Sequence, residues 1–165
     1  MGRPLVCDCR DVLAWQGGRL GGENSQHLSD WYSALHIVFG MLFFALMWRT
    51  SRHWPTGWLF VAAVVAGAGW EIVENTPFII ARYGQGPAGA GYLGDSIPNA
   101  LSDMCFVLIG FGLASRLPAR WTLGLGLAAE IATSLAIRDS LAIGTIMLLH
   151  PVDAIAAWQA GAFPS

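Results

Sequence analysis

Apolar runs separated by short polar or glycine-rich segments dominate the chain. The first runs from Ser33 to Trp48, carries no formal charge and contains His36. At a rise of 1.5 Å per residue it covers about 24 Å, a little short of a hydrocarbon core about 30 Å thick. Aromatic flanks at Trp31, Tyr32 and Trp48 make up the difference at the interfaces. After a loop with Arg49 and Arg52, the second run extends from about Gly57 to Asn75 and ends in the string WEIVEN. Pro77 weakens any continuation, although FIIARY is apolar enough to extend the helix past a kink. Residues 84–94 form a glycine-rich loop. The third run, Ser96 to Ser115, carries Pro98 in its first turn, and the fourth, Trp121 to Ile137, contains Glu130. The last segment, Ser140 to Trp158, is broken at His150 and Pro151. It reads equally as a fifth span, a broken helix or a re-entrant element. The predicted fold is all-α: a polytopic transmembrane bundle of about four to five helices over residues 33–158, between a polar segment at 1–32 and a tail at 159–165.

Composition agrees. The 165 residues suffice for one domain. Only 12% are charged, about half the share of a soluble domain, and 55% are hydrophobic. All nine basic residues are arginine and the net charge is −2, so no basic patch exists for a nucleic-acid partner. Met1 to Asp30 lacks the long apolar stretch of a cleavable signal peptide. Cys7 and Cys9 form a C-x-C pair without zinc-site spacing, and Cys105 reads as a small core residue.

Arginine placement sets the orientation. Arg49 and Arg52 lie between the first two spans, Arg116 and Arg120 between the third and fourth, and a bundle puts both loops on one side. Loops 49–56 and 116–120 are therefore expected in the cytoplasm of a bacterial cell, with the chain in the inner membrane. Residues 1–32 and the 76–97 loop are then periplasmic. Trp48, Trp54, Trp58 and Trp121 form the inner interfacial belt in this arrangement, and Trp31, Trp70 and Tyr92 lie near the outer one.

This topology brings ionisable groups from four helices to the outer third of the bundle. His36 lies one turn into the first span, Glu71 and Glu74 close the second, Asp95, Asn99 and Asp103 open the third, and Arg138 and Asp139 close the fourth. Helical spacing puts Glu71, Glu74 and Asn75 on one face, and Asp95, Asn99 and Asp103 on one stripe. Glu130 shares a stripe with Arg138, and His150 is i, i+3 from Asp153. A charge facing lipid at mid-depth costs about 2.5–3.5 kcal/mol, so such groups face the protein interior, a partner or a water-filled cavity. Bland roles stand beside this one: Asp95 or Ser96 as a helix cap, Glu74 and Asp139 solvated at the interface, Arg138 as an ion-pair partner. Glu71, Asp103 and His36 are the candidate catalytic or metal-ligating groups. Glu74, Asn75, Asp95, Asn99, Arg138, Asp139, His150 and Asp153 are the candidate binding residues. Two carboxylates and an imidazole suit a divalent metal or a shared proton. No H-E-x-x-H, G-x-S-x-G or phosphate-cradling glycine motif fixes a reaction or a cofactor.

The strings DWYSALHIVFG, WEIVENTPFIIARY, GDSIPNALSD, ASRLP, IRDSL and MLLHPVDAIAAWQAG resemble a family of bacterial multi-pass inner-membrane proteins of unknown function, over roughly residues 1–161. The resemblance implies membrane residence and a helical bundle but no activity. It also implies an apolar segment ahead of the M-G-R-P start, where this sequence departs; the orientation is the same with or without it. A shorter pattern, an acidic span end followed by Asp95, Asn99 and Asp103 at four-residue spacing, is similar to VanZ-type membrane proteins linked to envelope antibiotic resistance. Three functions fit the residues. One is an outward-facing polar cavity for a ligand or envelope component. A second is a metal-assisted enzyme on a lipid or lipid-linked head group, with Arg138 as phosphate clamp. The third is an accessory subunit whose charges meet a membrane partner or another copy of the chain.

Overall fold

The structure is a computed structural model and describes residues 11–18, 23, 25–51 and 53–161. Cys7, Cys9 and Arg52 lie outside the described residues. Among the described residues there are seven α-helices and no strand: α1 Trp31–Ser51, α2 Thr56–Glu74, α3 Pro77–Gly84, α4 Ile97–Arg116, α5 Ala119–Ile137, α6 Leu141–Leu149 and α7 Asp153–Ala160, with a 3-10 turn at Pro87–Gly89. This is the all-helical bundle that the apolar runs predict. α1, α2 and α4 are long and apolar enough to cross a membrane, and α5 with α6 makes a fourth if that bent pair is one span.

Local sequence explains the breaks. α1 starts two residues earlier and ends three later than its apolar run, and its 21 residues reach about 31 Å, a full hydrocarbon core. Asp30 caps it: Oδ1 accepts from Tyr32 N at 2.8 Å and Ser33 N at 3.3 Å, and Ser33 Oγ accepts from Asp30 N at 3.1 Å. FIIARY is not a kinked extension of α2. Thr76 accepts from Ile79 N and Pro77 occupies the first position of a new helix, α3. Ser96, rather than Asp95, caps α4 by accepting from Asn99 N.

The segment Ser140–Trp158 is not a fifth span. α6 has nine residues and α7 eight, and Pro151, which has no N–H, follows an extended His150 between them. α6 bends 70° away from α5. Glu130, two turns back on α5, holds that bend: Oε1 accepts from Leu141 N at 3.0 Å and Oε2 from Ala142 N at 3.1 Å. Its carboxylate thus satisfies two N–H groups that the start of α6 leaves open.

α1 sits at the centre, packed most extensively on α4 and then on α5 and α2. α1 and α4 run in the same direction, with Ser33 beside Asp103 and Phe44 beside Phe111, and α2 runs antiparallel to them, with Glu71 beside His36 and Phe60 beside Phe111. The buried positions recur at helical spacing: Ser33, His36 and Gly40 on α1; Leu59, Ala63, Gly67 and Glu71 on α2; Asn99, Asp103, Val107, Gly110 and Ala114 on α4. Gly40 and Gly110 are where α1 and α4 touch. A Cβ on Gly40 would lie 2.0 Å from the Val107 carbonyl oxygen, and one on Gly110 would lie 2.0 Å from the Ile37 carbonyl oxygen. Close approach through small residues is how helices associate where lipid removes the hydrophobic drive. Leu101, Cys105, Ile109 and Leu113 form the opposite, exposed stripe of α4. Cys105 is therefore a surface residue of the bundle and not a core one.

The loop ends also match the predicted up-and-down order. Arg49, Arg116 and Arg120 are exposed at one end, with Trp48, Trp54, Trp58 and Trp121 exposed around them. Replacing Gly40 by Ala should cost about 1–3 kcal/mol by forcing α1 from α4, despite the better helix propensity of Ala. Gly124→Ala, where a Cβ meets nothing within 4 Å, should be neutral or slightly stabilising. Thermal unfolding of the two variants in one detergent checks this; equal midpoints would remove the glycine contact from the argument.

Candidate functional site

The packing stripes of α1, α2 and α4 end in polar residues at the same level, opposite the arginine end. Glu71 is the last buried position of the α2 series, one turn beyond Gly67. Asp103 stands one turn before Val107 on α4, and His36 one turn before Gly40 on α1. The imidazole lies between the two acids. Nδ1 is 3.8 Å from Glu71 Oε1, and Nε2 is 3.7 Å from Asp103 Oδ2. Asp103 is oriented by Ser33, whose hydroxyl donates to its Oδ1 at 3.0 Å while accepting from Asp30 N. Cap, hydroxyl, carboxylate and imidazole thus form one chain from the start of α1 into the bundle.

Glu74 completes the group. One ligand atom from each of His36, Glu71 and Glu74 can be chosen so that all lie within 4.8 Å of one another. The i, i+3 spacing anticipates the Glu71–Glu74 pairing. The set that converges is His36, Glu71 and Glu74, with Asp103 on the far side of the imidazole, rather than His36, Glu71 and Asp103. Glu74 Oε2 is buried and accepts no hydrogen bond from the described residues. Asp103 lies close enough to Asp30, Glu71 and Asp95 to feel their charge, and Glu74 to feel Asp95, Asp103 and Asp30.

The other predicted site residues have different work. Asn75 and Asp95 clasp each other: Asn75 Nδ2 donates to Asp95 Oδ2 at 2.7 Å, and Asp95 N donates to Asn75 Oδ1 at 2.8 Å. This ties the end of α2 to the start of α4 across the 76–94 loop. Asn99 donates to the His27 carbonyl at 2.8 Å and so holds the N-terminal segment. Asp139 accepts from Tyr32 Oη at 3.3 Å and from Ser140 N at 2.9 Å, linking the α5–α6 break to α1.

Arg138 does not join the acids. It ends α5 in a left-handed conformation, φ 55° and ψ 32°. Its Nη1 donates to the Trp158 carbonyl at 2.6 Å, its guanidinium lies 5.5 Å from the Trp158 ring centroid, and Gln159 donates to its carbonyl at 3.2 Å. The guanidinium is drawn to the carbonyl end of α7, where a helix attracts cations. His150 and Asp153 are exposed at the ends of α6 and α7, away from the cluster, because Pro151 turns the chain between them.

The sequence reading missed two features. Residues 25–27, within the segment read as extramembrane, are buried against the bundle. Ser96 N donates to the Ser25 carbonyl at 2.9 Å, and Gln26 Nε2 donates to the Gly94 carbonyl at 2.7 Å. Their polarity hid this. The second feature is a cavity of about 50 Å³ beside Glu74, lined by Ser25, Tyr32, Tyr83, Tyr92 and the backbone of residues 88–90. All three tyrosines of the chain meet there. That rarity was a usable signal.

Residues 1–161 match a single family profile. The chain belongs to the DUF2585 family. That family is described as a protein of unknown function. Similar bacterial proteins carry the name UPF0314. That of Rhizobium etli (strain CIAT 652) is 43% identical over 161 residues, which cover 98% of this chain and 83% of the relative. That of Paracoccus denitrificans (strain Pd 1222) is 38% identical over 160 residues, with 97% and 83% covered. That of Novosphingobium aromaticivorans is 42% identical over 166 residues, with 98% and 84% covered. No solved structure matches the chain. These relatives support the family resemblance read from the motifs; the VanZ-type likeness gains nothing from them.

Asp30 illustrates how tightly this end is closed. Burial pushes its carboxyl above the ordinary carboxylate range, opposed by hydrogen bonds from the backbone of Ser25, Tyr32 and Ser33. The clasp is the most exacting contact, since Asp95 also accepts from Tyr92 Oη at 3.0 Å. Asp95→Ala should destabilise the protein by about 2–4 kcal/mol, because it leaves buried polar groups of Asn75 and Tyr92 without this partner. A denaturation midpoint like that of the unaltered chain would show that the clasp is dispensable.

Proposed function

We propose that this membrane protein binds a divalent cation between α1 and α2, in a polar site facing the periplasm, and that this cation anchors a polar ligand or envelope component. The observation that carries the reading is the convergence of His36, Glu71 and Glu74. Two carboxylates and a neutral imidazole balance a divalent charge and offer hard or borderline donors. Ligand atoms around a four-coordinate zinc stand roughly 3.4 Å apart, so separations of up to 4.8 Å need to close by at most about 1.4 Å, through rotation of the two glutamates. Asp103, at the other imidazole nitrogen, is placed as the carboxylate that orients a metal-bound histidine. An ionisable group on a buried intramembrane face is costly, and a bound cation is one way to offset that cost.

A second reading, a metal-assisted hydrolase or transferase on a lipid head group, is favoured by one observation. Glu74 belongs both to the ligand set and to the wall of the tyrosine-lined cavity, so a molecule held there would lie beside the cation. The displaced Arg138 takes the phosphate clamp out of that reading.

Elemental analysis of the purified protein should find about one divalent metal ion per chain. His36→Ala and Glu71→Gln should each abolish it, and Asp103→Asn should weaken binding about 10–100-fold. Metal-free protein that takes up no manganese, zinc or magnesium and gains no thermal stability from them would end this reading.

The orientation is part of the proposal, supported by Arg49, Arg116 and Arg120 lying at one end of the bundle. Alkaline phosphatase fused after residue 86 should be active, and after residue 118 inactive. The opposite pattern would place the acidic site on the cytoplasmic side.

A further inference from the structure

The chain has eight tryptophans, eight phenylalanines and three tyrosines, and all three tyrosines line one cavity. Tyr32 comes from α1, Tyr83 from α3 and Tyr92 from the loop before α4. Tyr83 and Tyr92 meet edge to face, with centroids 5.9 Å apart and planes at 80°. Two of the hydroxyls point outward from the cavity to acids: Tyr32 donates to Asp139 and Tyr92 to Asp95. Donation to a carboxylate leaves the phenol ring richer in electrons and a better partner for a cation on its face. Glu74 lines the same cavity and brings an oxygen that accepts no hydrogen bond from the described residues. Ser25 forms the opposite wall in a left-handed conformation, φ 60°, held by Asp30 and Ser96. Exposed Ala90 marks where the wall meets the surface.

We infer that this cavity is an aromatic cage for an ammonium group, the tyrosine faces and Glu74 together taking an amine-bearing head group at the membrane surface. The inference names the ligand class for the second reading above; it stands on the cavity, not on the metal ligands, and shares only Glu74 with them. Burial first, with the nearby carboxylates acting in the same direction, pushes the Tyr83 and Tyr92 phenols above their ordinary range, so both stay neutral. The ring-lined cavity with a single carboxylate in its wall suits a small cationic head. Asp95 and Asp139, which accept the hydrogen bonds of two of the ring hydroxyls, disfavour an anionic one.

The test uses the full chain. It is placed in nanodiscs of phosphatidylglycerol alone or with phosphatidylethanolamine, and separately titrated with ethanolamine in detergent; bound ligand is read by native mass spectrometry and by thermal midpoint. The unaltered protein should retain phosphatidylethanolamine over phosphatidylglycerol. Tyr83→Phe, which keeps the ring, should bind as well, whereas Tyr83→Leu and Glu74→Gln should each weaken binding about tenfold. Glu74→Gln serves if Tyr83→Leu fails to fold. Retention of the lipid but not of free ethanolamine assigns a membrane source for the amine, and binding of free ethanolamine alone assigns a soluble one. Equal retention of both lipids with no ethanolamine binding, or Tyr83→Leu binding like the unaltered chain, overturns the cage. His36→Ala should keep amine binding while losing the metal, so failure of the metal reading and failure of the cage give different results.

Discussion

The contact between Gly40 on α1 and Gly110 on α4 sets the geometry of everything polar in this molecule. Helix backbones pressed together until each glycine meets the other strand's carbonyl leave no room for side chains between them. One turn toward the acidic end, Asp103 and His36 extend from the same two stripes and are therefore forced together. Widening that crossing by the thickness of one methyl group separates the imidazole from its carboxylate. Packing and site are one device, which is why the buried positions of α2 run Leu59, Ala63, Gly67 and then Glu71 without a change of face.

The two ends of the bundle are built differently. At the arginine end, helices finish in exposed tryptophans and charges that need only water or the interface to satisfy them. The acidic end is knit by hydrogen bonds between segments far apart in sequence: Ser96 to Ser25, Gln26 to Gly94, Asn75 to Asp95, Tyr32 to Asp139. Each bond satisfies a group that would cost free energy if buried alone. Together they tie the 76–94 segment to α2, to α4 and to residues 25–26, and Tyr32 to the α5–α6 break. Preorganisation of this kind is what a binding site requires and what an interfacial loop does not.

The all-helical bundle, its apolar helices and the shared end of the arginine loops were legible because apolar length and loop charge are local properties of sequence; of the four to five spans expected, three helices are long and apolar enough to cross a membrane, or four if α5 and α6 form one bent span. The approach of His36 to Glu71 and Asp103 was legible too, since helical period and topology together fix depth and face, whereas the choice of Glu74 over Asp103 as third member of the converging set was not. The bends were not legible. Whether Ser140–Trp158 spans depends on Glu130 reaching forward to Leu141 and Ala142, a contact between α5 and α6 that no local pattern announces. Residues 25–27 read as solvated because they are polar, and their partners Gly94, Ser96 and Asn99 lie some 70 positions along the chain, which no local pattern announces.

The charged residues that look alike in sequence divide by what their partners are. Glu130 is spent on backbone amides, Arg138 on the carbonyl end of α7, and Asp30 on the start of α1. Asn75 and Asp95 are engaged with each other. None of these is placed to exchange its partner without unfolding the segment it holds. His36 with Asp103, Glu71 and Glu74 differs, because its distances of 3.7 and 3.8 Å are longer than hydrogen bonds and no helix end depends on the imidazole. A buried polar group held at arm's length by its neighbours is a poor device for stability. A guest that draws the four inward would offset that cost, and this asymmetry is why the proposed cation site is put here rather than at the more numerous charges around it.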